Sequence, residues 1–172
     1  MAKKYFLFFF LMYFIAVPPT YTHAADLGLS AGALFPFSNF EDFADPGFVV
    51  GYHVKMNVYE AFNYGLAVNY GNAKGDNGVD FQEIDIYPFI DWIFYRGKNI
   101  YFFTRGGIGL FHWESDNIWW LDSEGNGIIS TFGAGCRINK KFEVLANITK
   151  LYADLNIDCF IIRMGYNFDI GD

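Results

Sequence analysis

The sequence predicts an all-β protein, an eight-stranded antiparallel up-and-down transmembrane β-barrel (residues 25–172) behind a cleaved signal peptide (residues 1–24). Three observations carry this. Apolar residues recur with period two over long segments, which is the strand period. The connections between these segments alternate long and short. Charged residues fall on the face that carries glycine and asparagine, opposite the apolar face.

The first 24 residues differ in kind from the rest. Lys3 and Lys4 give a positive start, Tyr5 to Val17 is apolar throughout, Pro18 and Pro19 break the run, and Thr22-His23-Ala24 supplies small residues for cleavage. That is the layout of a secretory signal. A helix needs about 20 apolar residues to span a bilayer, and this run is too short for that. No later stretch is apolar enough for a spanning helix, so membrane contact is expected from strands.

The first segment, near 26–37, leads through a polar loop (Ser38 to Asp45) into 47–59. There Phe48, Val50, Tyr52, Val54, Met56 and Val58 share one face, against Val49, Gly51, His53, Lys55, Asn57 and Tyr59. A tight turn at Glu60-Ala61 leads to 62–71, where Tyr64, Leu66, Val68 and Tyr70 alternate with Asn63, Gly65, Ala67, Asn69 and Gly71. Five more segments follow at 81–94, 100–112, 128–139, 141–151 and 157–168. A long loop at 72–80 precedes the first of these and the longest, 113–127, follows the second. Short turns lie at 96–99 and Lys140, and the last loop is near 152–156. Pro88 inside the fourth segment cannot donate to a ladder, and a bulge or a strand boundary is expected there.

Charge tests the faces independently. Arg or Lys facing lipid at the midplane destabilises a barrel by about 2–4 kcal/mol. Lys55 falls with Gly51, Arg105 with Gly107, Arg137 with Gly135, and Arg163 with Gly165. Glu83, Asp85 and Asp91 fall opposite Ile84, Ile86 and Ile90, and Glu143 falls opposite Val144. Lys150 and Asp158 break the rule beside the last loop, where a long side chain or a strand end reaches water. The interior so drawn holds Lys55, Arg105, Arg137 and Arg163 against Glu83, Asp85, Asp91 and Glu143, four charges of each sign. Buried ions need partners. The turn at Gly97 brings Arg105 towards Asp91, its expected first partner, with Asp85 or Glu83 next. Eight strands enclose a space that side chains fill, so the network is expected to plug the barrel.

The segments Asn99-Ile100-Tyr101-Phe102-Phe103-Thr104-Arg105-Gly106-Gly107-Ile108-Gly109 and Arg163-Met164-Gly165-Tyr166-Asn167-Phe168 resemble the fifth and closing strands of the small eight-stranded outer-membrane β-barrel superfamily, the OmpA/OmpX-like and opacity-protein-like group. The resemblance covers residues 26–168 as a pattern. It implies an integral protein of a Gram-negative outer membrane, in contact with outer-membrane lipid and lipopolysaccharide. It also implies insertion by the barrel-assembly machinery, which reads a closing apolar row such as Phe160, Ile162, Met164, Tyr166 and Phe168. Here four residues follow Phe168. The role implied is structural or a surface interaction, with no cofactor.

Two other functions are weighed against this. Similar barrels include lipid A deacylases, and His112-Trp113-Glu114-Ser115 holds the ingredients of a hydrolase triad, but the His-x-Ser-Asn type of motif is missing. A soluble lipocalin-like ligand binder would point its apolar face inward. Nucleic acid is disfavoured because the mature chain keeps 10 basic against 19 acidic residues, a net charge of 10 − 19 = −9. No zinc spacing occurs, Cys136 and Cys159 lie on opposite faces, and Asp122-Ser123-Glu124-Gly125-Asn126 lacks the full EF-hand pattern. The expected external loops and their margins carry Glu41, Asp42, Asp45, Asp76, Asp80, Glu114, Asp116, Asp122, Glu124 and Asp154 with Lys74 alone as a base. Trp119, Trp120, Asp122 and Glu124 are candidate loop contacts for a surface partner, with weakly bound divalent cations as an alternative.

Overall fold

A computed structural model describes residues 23–37, 44–59, 61–75, 80–115, 124–152 and 156–170. It contains eight strands: β1 (His23–Phe37), β2 (Gly47–Tyr59), β3 (Phe62–Lys74), β4 (Asp80–Arg96), β5 (Ile100–Ser115), β6 (Glu124–Ile138), β7 (Phe142–Tyr152) and β8 (Asn156–Ile170). Each pairs antiparallel with its sequence neighbour, and β8 returns to β1 to close the barrel. Closure leaves no free edge, the condition for a sheet to live in lipid. The closing seam runs from Ala25↔Ile170 to Phe37↔Asp158, so the apolar outer row of β8 continues past Phe168 to Ile170.

Three strands run well past their apolar patterns at the end with the longer connections: β3 continues to Lys74, β5 reaches Ser115 and β6 starts at Glu124. The pairs Gln82↔Glu114, His112↔Asn126 and Glu114↔Glu124 carry the sheet beyond its apolar belt. There the outward face is polar, so the period-two contrast that marks a strand in the sequence fades.

Pro88 makes neither a bulge nor a boundary. It sits within β4 opposite Leu66 of β3, and the β4–β5 register is the same at Ile86↔Leu110 and at Phe89↔Gly107. A strand residue directs its N–H and C=O to one neighbour only, so the missing donor interrupts the ladder towards β5 and spares β3. The irregularity of this hairpin lies instead between Ile93 and Tyr95. The β6–β7 turn places Asn139 and Lys140 at φ 52° and 61°. Lys141 N–H donates to the Ile138 carbonyl at 3.1 Å. Two successive positive φ values make the turn whose twist suits a hairpin.

The interior has two zones. Towards the end of the barrel with the longer connections, Phe81, Tyr87, Phe89, Phe111, Trp113, Ile129 and Ile161 belong to one apolar cluster. Glycines admit the large rings. A Cβ on Gly127 would stand 2.4 Å from Phe111 across the β5–β6 pair, and one on Gly135 would stand 2.8 Å from Phe103. The other zone is ionic, and beside it Ile93, Phe103 and Leu145 form a second, smaller apolar cluster.

Candidate functional site

The ionic zone is built by strand parity from six of the eight strands. Arg105 of β5 donates from Nε and Nη2 to the two carboxylate oxygens of Asp91 on β4, at 2.6 and 2.9 Å. The two residues are direct cross-strand partners. Its second partner is Glu143 of β7, 3.0 Å from Nη2, and not Asp85 or Glu83. The interior is narrow enough for a side chain from β5 to reach across to β7, a contact that adjacency along the chain does not reveal. The Arg105 guanidinium also lies 4.1 Å from the centre of the Phe89 ring, which adds a cation–π contact.

Glu143 is the hub. It receives Lys55 Nζ at 3.2 Å and Arg137 Nη2 at 2.7 Å besides Arg105. Arg137 also reaches Asp26 at 2.7 Å, and Lys55 lies 3.7 Å from Asp91. Asp26 is the functional residue that the sequence reading misses. It stands near the start of β1, paired on both sides, where only its parity with Gly28 and Gly32 marks it as inward. The network therefore holds three acids, Asp26, Asp91 and Glu143, against three bases, Lys55, Arg105 and Arg137. All six are buried. Asn167 joins it by accepting from Arg137 Nη2 at 3.0 Å and contacting His53 Nε2 at 3.0 Å.

Glu83, Asp85 and Arg163 are buried as well, but no ion pair brings them into this network. Arg163 Nη1 donates to Asn69 Oδ1, and Asn69 Nδ2 donates to Asp85 Oδ1 at 2.6 Å, so one side-chain amide links base and acid. Glu83 Oε2 and Arg163 Nε have no hydrogen-bond partner among the described residues. With Asp26 counted, the interior charges among the described residues are five acids and four bases, one acid more than the balanced set read from the sequence. An internal cavity between the zones, lined by Ser30, His53, Tyr87 and Arg163 among others, has a volume of about 10 Å³. That is room for about one water molecule.

The outer face is the reverse. Ile108, Phe132 and Met164 are the most exposed large apolar residues, at 65, 66 and 70%. The two charges that break the parity rule stand directly opposite each other, Lys150 Nζ 3.6 Å from Asp158 Oδ2. At the rim, exposed Glu114 and Glu124 are also direct cross-strand partners, a like-charged pair. Trp119, Trp120 and Asp122 lie outside the described residues.

The His112-Glu114-Ser115 grouping does not converge. Alternation puts His112 and Glu114 outside, where His112 Nδ1 contacts Asn126 Oδ1 at 3.2 Å. It puts Ser115 inside, 2% exposed. A hydroxyl and an imidazole on opposite faces of one sheet cannot form a nucleophile–base pair. Cys159 is buried inside, Cys136 is partly buried, and both are free. Among the described residues no group of three or more His, Cys, Asp or Glu side chains could hold a metal ion.

No family model matches the chain, and no curated protein matches it by sequence. Solved structures are similar to it in fold. Neisserial surface protein A is 14% identical with a TM-score of 0.62, over 86% of this chain and 97% of that one. The outer membrane enzyme PagL is 14% identical with a TM-score of 0.58, over 84% of this chain and 99% of that one. The N-terminal barrel domain of Pseudomonas aeruginosa OprF is 18% identical with a TM-score of 0.53, over 83% and 97%. With its closed ring of eight antiparallel strands, this chain has the fold of the small outer-membrane β-barrels.

Proposed function

We propose that the chain is an integral outer-membrane barrel of a Gram-negative envelope, with a structural or surface-interaction role and an interior closed to solute flow. The observation that supports this most is the inverted polarity: ions are buried inside, and large apolar side chains are exposed outside. A water-soluble ligand-binding barrel needs the opposite arrangement, so the lipocalin-like alternative loses its basis. An outward apolar surface on this scale is stable only when lipid or another apolar phase covers it. The ionic zone and the bulky rings of Tyr87, Phe89, Phe103 and Phe111 fill the lumen, in keeping with what eight strands enclose.

Export would remove residues 1–24. The β1–β2 register shifts between His23 and Ala25, so a mature end near Ala25 leaves the regular part of the ladder intact. The longer connections, 38–46, 75–79 and 116–123, then face outward with 153–155, and the turns at 60–61, 97–99 and 139–141 face the periplasm. Membrane fractions washed with carbonate or high salt test this reading. The protein should stay in the pellet and migrate differently on detergent gels before and after boiling. Release by the wash, together with identical migration, would overturn it.

A further inference from the structure

The outer wall is not evenly convex. A groove of about 720 Å³ crosses it from Tyr64 on β3 to Lys150 on β7, following the hydrogen-bonding direction of the sheet. One bank is the cross-strand row Tyr64, Ile90, Gly106, Phe132 and Ile148. The other holds Pro88, Ile108, Ser130 and Lys150. Because strands in such barrels tilt by about 35–45°, the groove climbs obliquely through the hydrocarbon depth.

Gly106 opens the groove. A Cβ there would meet only Phe132 Cδ2, at 3.9 Å, and the residue has no positive φ. Neither packing nor backbone conformation demands glycine at this position. What the missing side chain leaves is free space on the lipid face, between Ile90 and Phe132. Among the described residues that line the groove, Lys150 alone is charged. Its side chain is 49% exposed while that of its partner Asp158 is 20% exposed, so the pair turns its positive end to the membrane. An ammonium has three donors, and the contact to Asp158 leaves others free. Lys150 stands two residues before the end of β7, on the side of the longer connections.

We propose that this groove seats one acyl chain of the phosphorylated glycolipid of the outer leaflet, lipid A, with a phosphate at Lys150. The inference rests on the outer-membrane placement proposed above. Three features select this occupant. The walls are mostly apolar and face hydrocarbon, the charge at one end is complementary to phosphate, and the groove extends across five strands, from β3 to β7.

Native mass spectrometry of the full chain, refolded in detergent with purified lipid A, tests the proposal. The barrel should retain one lipid A through detergent exchange. Gly106→Leu should lower that retention about tenfold, a loss of ~1.4 kcal/mol in binding. Gly106→Ala should lower it less, and it decides the matter if the leucine variant does not fold. Lys150→Gln should remove the preference for lipid A over the same lipid stripped of its phosphates. Equal retention by wild type and both glycine variants overturns the proposal, as does a mass of two protein copies without lipid. Heat-dependent gel migration of the same samples reports on the barrel itself, so failure of the membrane reading is distinguishable from failure of the groove.

Discussion

Arg105 shows how much depends on a single side chain. It neutralises Asp91 and one oxygen of Glu143, and all three side chains are buried. Replacing it with leucine keeps volume but leaves both carboxylates short of a partner, and removing one member of a buried ion pair costs about 3–5 kcal/mol. We expect Arg105→Leu to lower the denaturant midpoint of the folded barrel accordingly, and an unchanged midpoint would show that Asp91 and Glu143 do not depend on it. Asp26→Asn is the milder case, since Arg137 keeps Glu143 at 2.7 Å. Its loss should be smaller than that of Arg105→Leu in the same titration. The parity of Lys55, Arg105, Arg137, Arg163, Glu83, Asp85, Asp91 and Glu143 was legible because an alternation of glycine and asparagine with apolar residues leaves one polar face. Their partners were legible only where a hairpin makes them adjacent, as for Arg105 and Asp91. The Arg105–Glu143 and Arg137–Asp26 contacts cross the lumen, and nothing along the chain encodes that approach.

At the scale of elements, the β6–β7 turn offers a clean test. Lys140 holds φ 61° without being glycine, a conformation that costs an L-residue roughly 1–2 kcal/mol. Lys140→Gly should therefore stabilise the barrel by about 1 kcal/mol, measured as a raised unfolding midpoint with an unchanged slope. At the opposite end, Glu114 and Glu124 face each other across β5 and β6. Relieving that repulsion by Glu124→Gln should add about 0.2–1 kcal/mol at low salt, and less at high salt. Number and order of strands could be read from period two and the turn residues alone. The outer ends of β5 and β6 could not, because Glu114, Glu124 and Asn126 continue the sheet above the apolar belt. There the signal that distinguishes a strand from a loop is gone although the pairing is not. Pro88 misled for a related reason. A lost donor can interrupt the ladder on one side of a strand while the register holds on both.

At the scale of the whole molecule, the account is that lipid surrounds the barrel and ions fill it. The purified protein in planar bilayers should give no stable, large conductance steps, since eight strands enclose a space that side chains fill and buried Arg105, Arg137, Tyr87, Phe89 and Phe103 occupy it here. Sustained pores would refute a closed lumen. The inverted polarity itself can be read most directly along β8, where outward Phe160, Ile162, Met164, Tyr166 and Phe168 alternate with inward Ile161, Arg163, Gly165 and Asn167. Nitroxide labels placed singly at residues 160 to 168, in a background lacking Cys136 and Cys159 and reconstituted into lipid vesicles, would report contact with apolar oxygen or with a water-soluble nickel complex. The account requires period two: even positions relaxed by oxygen and shielded from nickel, odd positions shielded from both. Even positions open to nickel and closed to oxygen would contradict it, because the apolar face would then lie in water.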